Sequence, residues 1–369
     1  MARGVRRRRT EGSARRVTPP LGDRAAAEPP PPGVPAGPTV APAAGKVRRR
    51  LGRVALAWTL GIALLAWVTR GVEWGRLSSS LRAAPSWTWA AAVLGLAGSY
   101  LLRALRIHAE LGKRHGASVG QCLEVMLVHN AAVNLLPMRG GEAAYPWLVH
   151  RRLGVPVSHA VASLVWMRVQ DALVLGLAVI ALWPGLAAPL RLGAALLLAG
   201  AIALGLRVLE RAALRAGARD PRLGVIRAAT GALQALALAP RHGWAGWAFC
   251  VGSWTLKLLV LAALLAGLSA LPAPAARTGV LGGELAGVLP LQGPAGFGTY
   301  EAGVWAGASL RGHSALEIAA PAIAVHLLSL ATAVASGALA YAASQRRGAS
   351  PRTAGKDADR APARGERAR

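Results

Sequence analysis

Apolar residues gather in this chain into long blocks between Val54 and Ser344, with charge held mostly outside them. A soluble protein interleaves charge through its core elements. Uninterrupted apolar blocks joined by short polar links instead suit helices laid across a bilayer, where about 20 apolar residues make one crossing. Six blocks have that character: residues 53–69, 87–105, 157–183, 190–209, 244–268 and 318–343. Two further apolar stretches, 121–149 and 279–310, are broken near the middle. The first breaks at Leu136-Pro137-Met138-Arg139-Gly140-Gly141, the second across Leu289-Pro290 and Gly293-Pro294-Ala295-Gly296-Phe297-Gly298. Proline lacks a backbone donor and glycine weakens a helix, so neither run continues as one. Such backbone is tolerated at membrane depth only where protein or water covers it. The pattern predicts an all-α, polytopic membrane protein.

Charge placement sets the expected topology. Arg48, Arg49, Arg50 and Arg53 stand at the start of the first block, and Arg103, Arg106, Lys113 and Arg114 at the end of the second and just beyond it. A basic loop carries Arg207, Arg211, Arg215, Arg219, Arg222, Arg227 and Arg241, and Arg346 and Arg347 follow the last block. The positive-inside rule places all four groups in the cytoplasm. They share that side only if 121–149 and 279–310 each enter and leave by one face. The expectation is six full spans plus two re-entrant helical hairpins in the cytoplasmic membrane, with both termini inside. Residues 48–345 form the membrane domain. The Arg-, Pro- and Ala-rich segment 1–47 and the mixed-charge segment 346–369 lack the apolar residues for a core and are expected to be disordered. The first block follows a long polar segment with no small-residue cleavage site after it, and reads as a retained anchor.

The formal net charge of +27 invites a nucleic-acid reading. The arginines lie largely in tails and loops, however, and no basic patch with interleaved aromatics is present, so nucleic acid is not an expected partner. Cys122 and Cys250 lie in or beside apolar segments without a CxxC neighbour, so packing is expected of them and no disulfide, metal or cofactor. No GxSxG, HExxH, P-loop or strand-linked GxGxxG occurs, and catalysis is not expected.

The two broken stretches resemble each other. Leu135-Leu136-Pro137 parallels Val288-Leu289-Pro290, glycines follow in each, and Glu142-Ala143 parallels Glu301-Ala302. About 25 residues beyond each glutamate comes another intramembrane polar residue, Arg168 in one copy and His326 in the other. Each half then holds three spans and one hairpin. Three is odd, so the halves are inverted, with the hairpins meeting near the midplane as in many transporters.

Charge at the bilayer centre is unfavourable and needs a reason. Arg168 and Asp171, three apart, share a helix face; they form a structural pair or a phosphate site, since guanidinium forks onto phosphate. Glu142 and Glu301 either cap half-helices or line a central cavity, where they bind a cationic headgroup or carry protons. Arg139 beside Gly140 and Gly141 either completes a phosphate nest or snorkels to the interface. Lys257 and Glu284 are expected to neutralise each other. His129 and His326 are packing histidines or proton carriers. Trp87, Trp89, Trp244 and Trp247 sit at span ends as an aromatic belt.

Three segments carry a family resemblance. Asn134-Leu-Leu-Pro-Met-Arg-Gly-Gly-Glu142 resembles the first signature of the lysylphosphatidylglycerol synthase transmembrane region. Val165-Trp-Met-Arg-Val-Gln-Asp171 resembles its following motif, and Leu289-Pro-Leu-Gln-Gly-Pro-Ala-Gly-Phe-Gly-Thr-Tyr-Glu301 its third. The resemblance spans residues 53–343 and implies a lipid flippase-like membrane domain. In the multiple peptide resistance factors such a domain is fused to a cytosolic aminoacyl-transfer domain. Nothing resembling that second domain follows residue 343, so aminoacyl transfer is not expected of this sequence. Two departures stand out: His326 occupies the second copy of the family's arginine position, and Gln292 and Pro294 interrupt the third motif. Expected substrate-binding residues are Asn134, Arg139, Gly140, Gly141, Glu142, Arg168, Asp171, Gly293, Gly296, Gly298, Glu301 and His326. The expected ligand is a phospholipid or polyprenyl-phosphate-linked lipid. The alternatives are a non-catalytic membrane partner of a glycosyltransferase or other lipid-modifying enzyme, and a membrane-embedded headgroup enzyme.

Overall fold

The computed structural model describes Thr59, Ala66 and residues 74–217, 243–289 and 293–349. Most of the predicted first span, segment 1–47, residues 350–369 and much of the basic loop lie outside the described residues, while residues 346–349, read from sequence as the start of the second tail, continue the last helix. The described chain is helical, with no strand among the described residues. Its helices are α1 (Trp74–Ala83), α2 (Ser86–Glu110), α3 (Val119–Leu135), α4 (Ala144–Leu153), α5 (Val157–Leu182), α6 (Ala188–Gly217), α7 (Trp244–Leu268), α8 (Ala273–Ala286), α9 (Thr299–Ser309) and α10 (Ala315–Ala349). Among the described residues, five segments are long and apolar enough to cross a membrane: Ser86–Glu110, Val157–Leu182, Ala188–Val208, Trp244–Leu268 and Ile318–Arg346. They coincide with five of the six predicted spans, and the remaining one falls on the undescribed segment.

Local chemistry sets the boundaries. Pro85, Pro156 and Pro272 stand immediately before α2, α5 and α8, where the fixed proline φ suits entry into a helix and the missing N–H is not needed. Ser118 opens α3 with a capping box: its hydroxyl accepts from the Gln121 N–H, and the Gln121 side chain accepts from the Ser118 N–H. At the far end of α3, Leu136 is extended, as the residue before Pro137 must be. A 3₁₀ segment, Pro137–Ala143, then leads into α4. In the second broken stretch α8 stops at Ala286, and a 3₁₀ turn at Pro294–Gly296 leads into α9.

Each broken stretch folds back on itself, α4 onto α3 and α9 onto α8. The second pair is held by small residues. A Cβ on Gly282 would overlap the Gly303 carbonyl, and one on Gly307 would overlap the Thr278 carbonyl. Backbones that meet this closely replace side-chain interdigitation with direct contact, a common device between helices in lipid. In the centre, α2 packs along α7, where Ser99 donates to the Ser253 carbonyl at 2.9 Å. Likewise α3 packs along α10, where Gly337 meets Ala131 and the Leu127 carbonyl. Helix α6 packs on α5 with Leu192, Leu196, Leu197 and Leu204 exposed; from Leu192 to Leu206 it is apolar all round, which suits a lipid setting.

One expectation needs correction. Arg103 and Arg106 were read as cytoplasmic charges at the end of a span closing at residue 105. Helix α2 instead runs to Glu110, and Arg106 is 3% exposed. The helix continues because tertiary partners take up these charges. Lys113 and Arg114 alone remain as exposed cations at this turn.

Placing bulk in the α8–α9 seam tests the packing. Gly303→Val should force the helices apart and destabilise the protein by about 1–3 kcal/mol, the usual effect of overpacking. Gly200→Ala, where nothing lies within 4 Å of the added Cβ, should be neutral. Thermal unfolding in detergent distinguishes them; equal melting temperatures would contradict the close packing.

Candidate functional site

The two breaks open onto one cavity of 410 Å³. Asn134 and Leu136 reach it from the first break, and Gly293, Ala295 and Gly296 from the second, with α2, α5, α7 and α10 closing the sides. Its wall is strongly charged, and the charges are arranged around one carboxylate.

That carboxylate is Asp171 on α5, 9% exposed. Its Oδ1 accepts from Arg106 Nη1 at 2.7 Å and from Trp254 Nε1 at 2.9 Å, with Cys250 Sγ at 3.6 Å. Its Oδ2 accepts from Arg168 Nη1 at 2.9 Å. Arg106 also donates to Gln170 Oε1 and to the Met167 carbonyl, each at 2.7 Å from Nη2, and lies 3.6 Å from Glu110. Arg168 donates from Nη2 to Glu142 Oε1 at 2.7 Å, and His129 lies 4.0 Å from the other Glu142 oxygen. Charges therefore alternate from Glu110 through Arg106, Asp171 and Arg168 to Glu142, across α2, α5 and the first break, with the His129 ring of α3 beside the last.

The two arginines differ in exposure. The Arg106 side chain is 4% exposed and that of Arg168 37%, so Arg106 is sealed by protein and Arg168 faces the cavity. Among the described residues, Arg168 Nε and Arg103 Nη2 are buried donors without a hydrogen-bond acceptor. The Arg103 guanidinium stacks 4.6 Å from the Trp254 ring. Lys257 pairs with Glu284 at 2.6 Å, as expected from sequence.

The second break is built around Glu301 and His326. Glu301 Oε2 accepts from the Gly298 N–H at 2.7 Å, capping α9, and Oε1 lies 2.7 Å from His326 Nδ1. His326 Nε2 lies 3.1 Å from the Ala295 carbonyl oxygen. The cap reading thus holds for Glu301. It fails for Glu142, which sits inside the 3₁₀ segment and binds Arg168, while α4 has no side-chain cap: the strong cation nearby outcompetes the helix N–H groups.

Of the other expected residues, Asn134 lines the cavity and donates to the Asn130 carbonyl at 2.7 Å. Gly293 and Gly296 line it directly, and Gly298 stands behind them as the α9 cap. Gly141 is buried where a Cβ would strike the Ala132–Val133 backbone, so its role is close packing; Gly140 is exposed. The Arg139 side chain lies outside the described residues. Sequence reasoning missed Arg103 and Arg106 as site residues, along with Gln170 and Trp254. A signal was available: Tyr100, Arg103, Arg106 and Glu110 recur at helical spacing, the mark of one polar face.

Removing Asp171 tests the network. Asp171→Ala leaves Arg106 buried without its acid and should cost about 3–5 kcal/mol, whereas pairing it with Arg106→Met should recover much of the loss. Unfolding of both variants in detergent checks this; additive losses would mean the pair is not coupled.

Comparison with known proteins places this architecture. A family model described as the lysylphosphatidylglycerol synthase TM region matches residues 51–337. No curated protein matches the chain.

Proposed function

The chain belongs to the lysylphosphatidylglycerol synthase transmembrane-region family, and from that premise we propose that it is a flippase-like carrier of a phosphate-bearing lipid. The headgroup of a phospholipid or polyprenyl-phosphate-linked lipid passes through the cavity between the two breaks while the acyl chains stay in the bilayer. One observation carries this reading: four cationic side chains, Arg103, Arg106, Arg168 and Lys257, line one cavity inside a membrane protein. Asp171, Glu142 and Glu284 offset much of that charge, and the guanidinium left facing the cavity is that of Arg168, 37% exposed; a cation at the bilayer centre costs about 2.5–3.5 kcal/mol on insertion scales, so its exposure there points to an anion. Arg106 is occupied by protein acceptors, whereas Arg168 Nε and Arg103 Nη2 retain N–H groups for ligand oxygens. Guanidinium matches phosphate geometry and holds its charge throughout transit. The protein makes and breaks no bonds in this reading.

The α3–α4 and α8–α9 units are re-entrant hairpins in the same reading, completing six spans as an inverted repeat. Two observations support this. The longest of the four helices has 17 residues, short of the roughly 20 a crossing needs. The glutamate of each break also meets its partner on the following long helix at the same 2.7 Å, Glu142 with Arg168 and Glu301 with His326, 26 and 25 residues apart. Both termini then lie in the cytoplasm.

The topology is tested by labelling introduced cysteines in intact cells. Ala187→Cys and Ala273→Cys should react with an impermeant thiol reagent; Lys113→Cys and Arg346→Cys should react only after permeabilisation. Labelling of Lys113→Cys in intact cells would overturn the arrangement.

The carrier function is tested with purified protein in liposomes holding fluorescent phosphatidylglycerol or a polyprenyl-phosphate sugar. Wild type should speed movement between leaflets. Arg168→Lys, correctly folded by thermal unfolding, should lose at least about tenfold, since lysine keeps the charge but not the two-pronged donor. Full activity in Arg168→Lys would remove the phosphate-binding role. No movement of either lipid by wild type would favour a supporting subunit of a lipid-modifying enzyme.

A further inference from the structure

We infer that Glu301 and His326 form a proton-binding site that controls the wall of the cavity, so that headgroup transit is coupled to a proton; the coupling rests on the carrier reading above.

The geometry of the imidazole requires a proton. His326 Nδ1 faces a carboxylate oxygen at 2.7 Å and Nε2 faces a carbonyl oxygen at 3.1 Å. Neither a carboxylate nor a backbone carbonyl donates, and a neutral imidazole carries one N–H. Satisfying both contacts takes one further proton, held as the second imidazole N–H or on the Glu301 carboxyl. In either form the pair holds one proton more than neutral histidine beside ionised glutamate. Losing it leaves an imidazole lone pair facing an oxygen lone pair at close range in a site 6% exposed at His326 and 1% at Glu301. Desolvated repulsion of that kind is relieved by movement.

The part free to move is the second break. His326 holds the carbonyl of Ala295, a non-glycine residue at φ 52, flanked by Gly296 at φ 85 and close to Gly298 at φ 78. Left-handed backbone at a residue with a Cβ is disfavoured and persists where surrounding contacts impose it. Here the imposing contacts are the His326 ring, stacked 4.6 Å from Tyr300 and lying 4.8 Å from Phe297, and the Glu301 bond to the Gly298 N–H. Ala295 and Gly296 line the cavity, so release of the Ala295 carbonyl reshapes the wall that a headgroup meets.

The corresponding position of the first break cannot do this. Arg168 meets Glu142 at the same distance, but its proton is not given up in a protein. The cavity thus has one permanently charged side and one titratable side. The other ionisable groups that line it from elements packed against α10 are His129 on α3, Tyr300 on α9, Lys257 on α7 and Arg103 and Arg106 on α2. Lys257 is neutralised by Glu284, and Arg106 by Asp171. An arriving anionic headgroup favours the protonated pair and its departure favours release, which is the sign coupling requires.

Two measurements on the full chain decide this. In nanodiscs of phosphatidylglycerol and phosphatidylethanolamine, the ¹⁵N signals of His326, assigned by their loss in His326→Asn, should change protonation state or hydrogen bonding between about pH 5 and 9. An unchanged spectrum across that range overturns the proton site whether or not lipid moves. In liposomes with fluorescent phosphatidylglycerol, an imposed pH gradient should change wild-type translocation by about fivefold or more, and His326→Arg should abolish the response. Wild-type movement that ignores the gradient overturns the coupling and leaves the carrier reading intact. If wild type moves no lipid, the carrier reading and the coupling fail together, and the ¹⁵N titration alone decides the proton site.

Discussion

The Asp171 carboxylate is the constraint around which the described bundle is arranged. One of its oxygens binds the guanidinium of α2 and the indole of α7, and the other binds Arg168 on its own helix. A buried acid with a single partner would be a liability, because desolvation rivals the attraction of one ion pair. With several donors converging on it, the carboxylate instead fixes where α2, α5 and α7 stand relative to one another. Arg168 passes that placement on to the first break through Glu142. The alternation of sign from Glu110 to Glu142 keeps each charge beside an opposite one, which is what permits so many ionisable groups inside an apolar domain.

The two broken stretches reach the same cavity by different physical means. The first is pinned by charge: its 3₁₀ segment carries Glu142 to Arg168, and Gly141 lets the segment lie against the backbone of α3. The second is pinned by contact: glycines bring α8 and α9 backbone to backbone, and aromatic rings clamp His326 at the turn. In water the hydrophobic effect would hold such helices together. In lipid it does not discriminate between a helix and an acyl chain, so close packing and polar bonds take over that task. Within the proposed function this difference is useful. A charge-locked break offers a fixed anion site, and a break held by one titratable ring offers a wall that can change.

Five of the apolar blocks, both breaks and the positions of the two glutamates, each with a polar residue about 25 positions further on, were legible from the chain alone. Hydropathy and proline–glycine chemistry act locally: a helix in lipid needs apolar length, and Pro137 or Gly296 interrupts it whatever the surroundings. The spacing from Glu142 to Arg168 and from Glu301 to His326 was also visible, and the structure joins each pair by a hydrogen bond. What the sequence could not decide was where α2 ends and what its arginines do. Composition places Arg103 and Arg106 at the end of an apolar block, the position of an ordinary cytoplasmic charge. Only the tertiary structure supplies Asp171, Gln170 and the Met167 carbonyl to Arg106, and Trp254 to Arg103. A charge counts as interfacial or intramembrane according to whether partners exist for it, and those partners come from helices more than 60 residues away in the chain. The end of a span is set by local chemistry when its charges meet water, and by the whole fold when they meet one another.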